Sequence, residues 1–180
     1  MSSRANLIDR VALIATRSGL ARLGIALSSY VRRNAVRVLN YHHVPDSLVR
    51  SFTEQIAWIV ERHTVLGLED LRALTNGNLK VSKPPVILSF DDGLKSHVST
   101  VVATLDEFQV PGWFFIPTDA ASVDVAEHYA WAAEHGINPA GYGFSQDDQI
   151  FATWEDWRSV RGDHVLGSHT ASHLRFTADV

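Results

Sequence analysis

The chain has 180 residues, 46% of them hydrophobic, a formal net charge of -4 and no cysteine. That length supports one domain with a sizeable buried core, and the composition excludes a disordered or low-complexity protein. Disulfides and thiolate metal sites are excluded too, so any metal would have to be held by His, Asp or Glu.

Charge divides the chain unevenly. Residues 1–40 hold seven arginines against one acid, Asp9, a net of +6, so the other 140 residues carry -10. Within LIDRVALIATRSGLARLGIALSSYVRR, Leu7, Val11 and Ile14 recur at helical spacing with arginines between them, which predicts a basic amphipathic helix. We divide the chain into this segment, 1–34, and a globular part, 35–180. Arg17 and Arg22 interrupt every apolar run well short of the roughly 20 residues of a membrane span. The run before Arg17 is also shorter than the roughly 7–15 residues of a secretory core. The expected location is cytoplasmic or peripheral to the membrane. Two roles stay open for the helix: contact with an anionic membrane surface, or packing on the globular part or a second subunit, the simpler reading of an apolar stripe with arginines.

From Ala35 onward, β-rich and helical runs alternate. AVRVLNY (35–41) predicts a strand ended by His42, His43, Val44 and Pro45. Ser51 to Glu54 has capping-box spacing, with Phe52, Ile56, Ile59 and Val60 following at helical period. A weak strand at His63–Leu66 leads into LEDLRAL, a short helix with acids in its first turn, closed by Asn76 and Gly77. After Pro84 and Pro85, VILSF is continuously apolar, the pattern of a strand buried on both faces of a parallel sheet. Val98–Phe108 predicts a helix, GWFFI (112–116) a second buried strand, and Thr153–Arg161 a helix started by Thr153 and Asp156. HVLGS predicts a last strand that runs into HTASH. This order argues for an α/β architecture, doubly wound or barrel, with its chemistry at the C-terminal ends of the strands.

Asp91 and Asp92 fall at such an end, as do His42, His43, His169 and His173. Asp-Asp-Gly suits an ordinary turn, and the Asp147–Asp148 pair, which follows no apolar run, is read as solvated loop. At a buried strand exit, however, adjacent carboxylates repel unless one meets a cation. A metal would resolve that conflict, and HTASH offers two histidines at i and i+4 that a helical turn would direct to one ion. Either motif alone is weak. Their joint occurrence outweighs chance.

VILSFDDG followed by LGSHTASH resembles the polysaccharide deacetylase family, the NodB homology domain of family-4 carbohydrate esterases. Its motifs are Thr/Ser-Phe-Asp-Asp-Gly and His-Ser/Thr-x-x-His. VLNYHHVP is similar to the opening strand of the subgroup acting on poly-N-acetylglucosamine exopolysaccharides, and VPGWFFIPT to the family's next core strand. The resemblance implies a distorted (β/α) barrel. It further implies a divalent ion, zinc first with cobalt or nickel as alternatives, held by Asp92, His169 and His173. Asp91 would be the general base, freeing N-acetyl groups from an N-acetylated polysaccharide or oligosaccharide. His42, on the same rim, is a substrate-binding candidate. Thr170 is expected to support the histidine turn and Gly93 to permit the tight exit. Trp113, Trp131, Trp154 and Trp157 are read as packing residues before sugar platforms. Histidines 63, 97, 128, 135 and 164 are read as structural or surface residues, and a nucleic-acid partner is not expected.

The family's later motifs, Arg-x-Pro-Tyr, a tryptophan-bearing segment and Leu-x-His, are absent from these 180 residues. The expectation is therefore a fragment with about five of about seven barrel strands and impaired or no activity of its own, needing its missing C-terminal half or a complementing chain. Two further readings stay open: a non-catalytic metal- or carbohydrate-binding remnant, and a two-His-one-carboxylate iron oxygenase. The second ranks below the others because an oxygenase does not require the Asp-Asp adjacency.

Overall fold

A computed structural model describes residues 35–175. The predicted N-terminal helix and the 1–34 segment boundary lie outside the described residues.

Five parallel strands form one sheet: β1 (Arg37–Tyr41), β2 (Thr64–Val65), β3 (Pro85–Phe90), β4 (Trp113–Ile116) and β5 (Val165–Ser168). The order is β1-β3-β4-β5, with β2 paired to the start of β3. Every residue of β3 is buried, as its unbroken apolar run demands. Pro85 takes the first strand position, where a missing amide hydrogen does least harm. Register along β1 and β3 runs from Arg37 opposite Val86 to Tyr41 opposite Phe90. The Asp91 amide continues the ladder by donating to the Tyr41 carbonyl at 3.1 Å. Among the described residues β1 and β5 are the outer strands, and Val38 and Leu166 are exposed on them.

The helices are α1 (Val49–Arg62), α2 (Leu68–Thr75), α3 (Val102–Glu107), α4 (His128–Glu134) and α5 (Trp154–Ser159). Among the described residues no helix is long and apolar enough to cross a membrane. The α1 helix buries Phe52, Ile56 and Ile59, one stripe at helical spacing, and Phe52 meets Tyr41 of β1 edge-on at 5.5 Å. It starts before the expected Ser51–Glu54 capping box, which does not form. A 3-10 turn, Asp46–Leu48, closed by the Leu48 amide on the Pro45 carbonyl, starts the helix early, and Glu54 instead pairs with Arg50 at 3.1 Å. The box at α5 does form: Thr153 accepts from the Asp156 amide, and Asp156 accepts from the Thr153 amide at 2.9 Å.

The helix expected over Val98–Phe108 begins with a π-helical stretch, His97–Val101, before α3. His97 is wholly buried between Phe90 and Phe114, and its Nε2–H donates to the His42 carbonyl at 2.7 Å while Nδ1 has no partner. Burial, the largest cause, pushes its pKa down to about 4. A depressed histidine pKa stabilises the fold above the unfolded value near 6.5, and that contribution is lost as pH falls toward 4. The expected loss is about 3 kcal/mol by pH 4. Denaturant melts from pH 7 to 4 check this, since the His97→Gln variant should show a visibly shallower decline.

Two buried clusters share the work of packing. The main one joins Phe52 and Ile56 of α1 to Leu88 and Phe90 of β3, Phe114 of β4 and Trp157 of α5. A second, formed by Leu94, Ala120, Ile137, Ile150 and Phe151 with Trp131 and Tyr142 against it, is the core of the long β4–α5 connection. His128 locks that connection. Its Nδ1 accepts from the Ile150 amide at 3.1 Å, and its Nε2–H donates to the Val123 carbonyl at 3.2 Å. The connection is also stitched to the exit of β3, where Ala152 N–H donates to the Gly93 carbonyl and Lys95 N–H to the Ile150 carbonyl.

Candidate metal centre

The site grows from the point where β3 stops. Asp91, the first residue after β3, aims its carboxylate toward β1, accepting from Asn40 Nδ2 at 2.8 Å and Ser89 Oγ at 3.2 Å. Asp92 turns the chain with φ of 74°, and Gly93 follows at 63°. A Cβ on Gly93 would meet Ile116 Cγ2 at 3.1 Å, so both backbone conformation and space favour glycine at this exit. The reversal separates the two carboxylates: Asp91 faces the β1 edge, and Asp92 is buried against the residues after β5.

HTASH follows β5 as an irregular turn. The expected helical turn is absent because Thr170 and His173 both take left-handed backbone angles, 64° and 54°. Instead the turn hangs on the end of β4. Thr118 N–H donates to the Thr170 carbonyl, Asp119 N–H to the Ala171 carbonyl and His169 N–H to the Ile116 carbonyl at 2.8 Å. Thr170 supports it as expected, its Oγ1 accepting from the Leu174 amide at 2.9 Å. Among the described residues, three of the four non-glycine residues with positive φ are Asp92, Thr170 and His173. Such strain persists where surrounding structure enforces it, and it concentrates at functional sites.

These two turns bring Asp92, His169 and His173 together, with one ligand-type atom from each lying within 4.8 Å of the others. Asp92 Oδ1 stands 3.2 Å from His173 Nε2 and 3.8 Å from His169 Nε2. A tetrahedral ion with bonds of about 2.0–2.1 Å needs donors roughly 3.3 Å apart. His173 Nδ1–H donates to the His135 carbonyl at 2.6 Å, and a carbonyl can only accept, so the ring proton is held on Nδ1. The Nε2 lone pair therefore faces a carboxylate oxygen that itself has no hydrogen-bond partner. Two acceptors at 3.2 Å repel unless a proton, on the ring or on the carboxyl, or a metal ion lies between them. Burial, the largest cause, raises the Asp92 pKa, while the nearby histidines pull it down. The residues present fit a divalent ion, down to an outer hydrogen bond that orients a ligating imidazole.

A cavity of about 330 Å³ opens over the cluster. His42, Asp92, His169, His173 and Arg175 line one part of it. Gly136, Ile137, Asn138, Gly141 and Tyr142, all from the β4–α5 connection, line the rest. His42 thus lies in the same cavity as the cluster, whereas Asp91 is not among its lining residues. A larger groove of about 450 Å³ lies elsewhere, between β1 and α1 around Tyr41, Gln55 and Trp58.

The four tryptophans weighed as sugar platforms, Trp113, Trp131, Trp154 and Trp157, behave as packing residues. Trp157 is buried, Trp113 donates to the Leu66 carbonyl, Trp154 to Ser122, and Trp131 stacks on His135 at 4.0 Å. Asp148 accepts from the Ser145 amide in an exposed loop, apart from the site. Sequence reasoning missed Asn40, Ser89, the His135 carbonyl and Tyr142. Strand alternation relates Ser89 to Asp91, but nothing in the sequence announces the others.

Comparisons with known proteins bear on the family and the fold. The chain is 25% identical over 150 residues to the poly-beta-1,6-N-acetyl-D-glucosamine N-deacetylase of Escherichia coli K12, covering 76% of this chain and 21% of that protein. It therefore spans about a fifth of that relative's length. Among solved structures, a de-N-acetylase from Aggregatibacter actinomycetemcomitans superposes with a TM-score of 0.58 at 20% identity, over 76% of this chain and 55% of that one. IcaB from Ammonifex degensii gives 0.56 at 18%, over 80% and 56%, and the BpsB deacetylase domain from Bordetella bronchiseptica 0.54 at 23%, over 76% and 55%. These likenesses establish the α/β fold. Residues 78–179, more than half of the chain, match the polysaccharide deacetylase family, and the chain belongs to that family.

Proposed function

We propose that this chain carries the metal-binding site of a divalent-metal-dependent N-deacetylase acting on an N-acetylated polysaccharide of the poly-β-1,6-N-acetylglucosamine kind. The observation that carries the reading is the pair of facing acceptors, Asp92 Oδ1 and His173 Nε2, 3.2 Å apart with His169 beside them. Asp92, His169 and His173 hold the ion, and zinc, cobalt and nickel all accept such ligands. A bound divalent ion supplies Lewis acidity, polarising an amide carbonyl and making water more acidic.

The remaining steps fall to the chain's own groups. Asp91 accepts the proton of the attacking water, its two oxygens kept in place by Asn40 and Ser89. His42, in the cavity wall, contacts the substrate. Attack of that water on the acetamide carbon gives a tetrahedral intermediate, whose C–N bond breaks as the nitrogen takes up the proton that Asp91 received, leaving acetate and a free amine.

The test has two readouts. Metal-stripped protein is titrated with zinc by calorimetry, and acetate release from a β-1,6-linked N-acetylglucosamine oligomer is followed with and without the metal. Uptake of one ion per chain at micromolar zinc, with release dependent on it, is the expected result. Uptake without release favours a binding module. Failure to take up any transition ion overturns the reading.

A further inference from the structure

The β4–α5 connection builds a wall that the metal-centred chemistry does not use. It leaves α4, passes His135, whose carbonyl holds His173, and folds into a compact turn around Pro139. There the Asn138 side chain accepts from the Gly141 amide at 2.9 Å, and Phe144 N–H donates to the Pro139 carbonyl at 3.0 Å. This turn presents Tyr142 to the cavity. The ring is fixed from behind by Phe144, edge-on at 6.4 Å, and by His43 at 5.8 Å, itself bonded to Ser96 Oγ at 3.1 Å. Tyr142 is half-buried, and its phenol pKa is raised by burial first and then by Asp92 and Asp91. It therefore stays a protonated donor near both acids.

No tryptophan or phenylalanine lines the cavity, so beside its histidines Tyr142 is the one aromatic residue in its wall among the described residues. A volume of about 330 Å³ lies at the low end of ligand sites, roughly 300–1,000 Å³, and suits one sugar ring better than a run of them. A pyranose has an apolar C–H face and a polar rim. The cavity offers a matching aromatic face, with Asn138 and the exposed Arg175 as polar groups around it.

We propose that Tyr142 is the sugar platform of this site, stacking on an N-acetylhexosamine ring so that its acetamide reaches the Asp92–His169–His173 cluster, with Arg175 contacting the ring hydroxyls at the cavity mouth. This rests on the function proposed above. Tyr142 selects and orients; it is not a metal ligand.

The test is titration of the full zinc-loaded chain with a β-1,6-linked N-acetylglucosamine tetramer, read by amide chemical shifts and calorimetry. Tyr142→Ala should weaken binding about tenfold or more, the equivalent of losing one stacked ring, while Tyr142→Phe stays within about threefold. Arg175→Ala, a surface change that does not endanger folding, should weaken it about threefold to tenfold. Zinc uptake should be the same in all three variants. Unchanged affinity in Tyr142→Ala, or no binding to the parent at millimolar tetramer, overturns the platform. If zinc binds but affinity ignores Tyr142, the platform fails and the metal reading stands. If the tetramer binds through Tyr142 in protein that takes up no metal, the metal reading fails and the platform stands.

Discussion

Asp92→Asn is expected to lower zinc affinity by roughly a hundredfold or more, since loss of an outer partner alone commonly costs about 10–100-fold and Asp92 is proposed as a direct ligand. The same change should leave the metal-free protein at least as stable as its parent. Asp92 is 3% exposed, burial raises its pKa, and Oδ1 has no hydrogen-bond partner, so in the absence of a cation its charge is a burden on the fold. A neutral amide of the same shape removes that burden. Calorimetric zinc titration and metal-free denaturant melts of parent and variant give both numbers. A variant that binds zinc like the parent refutes Asp92 as a ligand. One that is several kcal/mol less stable without metal refutes the account of its burial.

Asp91→Asn should give the opposite pattern, with zinc affinity within about threefold of the parent and acetate release reduced about 10²- to 10⁴-fold, the usual worth of a positioned base. Asp91 sits one residue from Asp92, but its carboxylate is turned to Asn40 and Ser89, so removing its charge leaves the three proposed ligands in place. An amide keeps similar hydrogen-bonding shape while losing the ability to take a proton. Single-turnover acetate release beside zinc titration separates the two effects. Retained release at the parental rate would remove Asp91 from the chemistry, and a parallel loss of zinc would make it part of the ion's support instead.

The sheet was readable because its signals are local. VILSF is uninterrupted and becomes the fully buried β3; GWFFI and HVLGS fall on β4 and β5; Thr153 and Asp156 cap α5 reciprocally. Where neighbours could compete, local signals misled. The Ser51–Glu54 spacing lost to a 3-10 turn after Pro45 and to the Arg50–Glu54 pair. HTASH has helical spacing, yet three hydrogen bonds to the end of β4 hold it in another conformation. The histidines still converge, because the clustering needs the positions of two strand ends more than it needs a helix. Asn40 and Tyr142 were invisible for a related reason: each meets the site only through the tertiary fold, 51 residues from Asp91 in one case and across the β4–α5 connection in the other.

The His135 carbonyl carries one consequence for how such a chain can change over time. The stretch that orients His173 runs without a break into the turn bearing Asn138 and Tyr142, so the proposed sugar contact and the proposed ion grip share the eight residues 135–142. Grafting that stretch from a cousin with different tastes would import its hold on the cation along with its preference. New specificity should arise here by single exchanges at the turn's tip, sparing the residue whose backbone oxygen steers the imidazole.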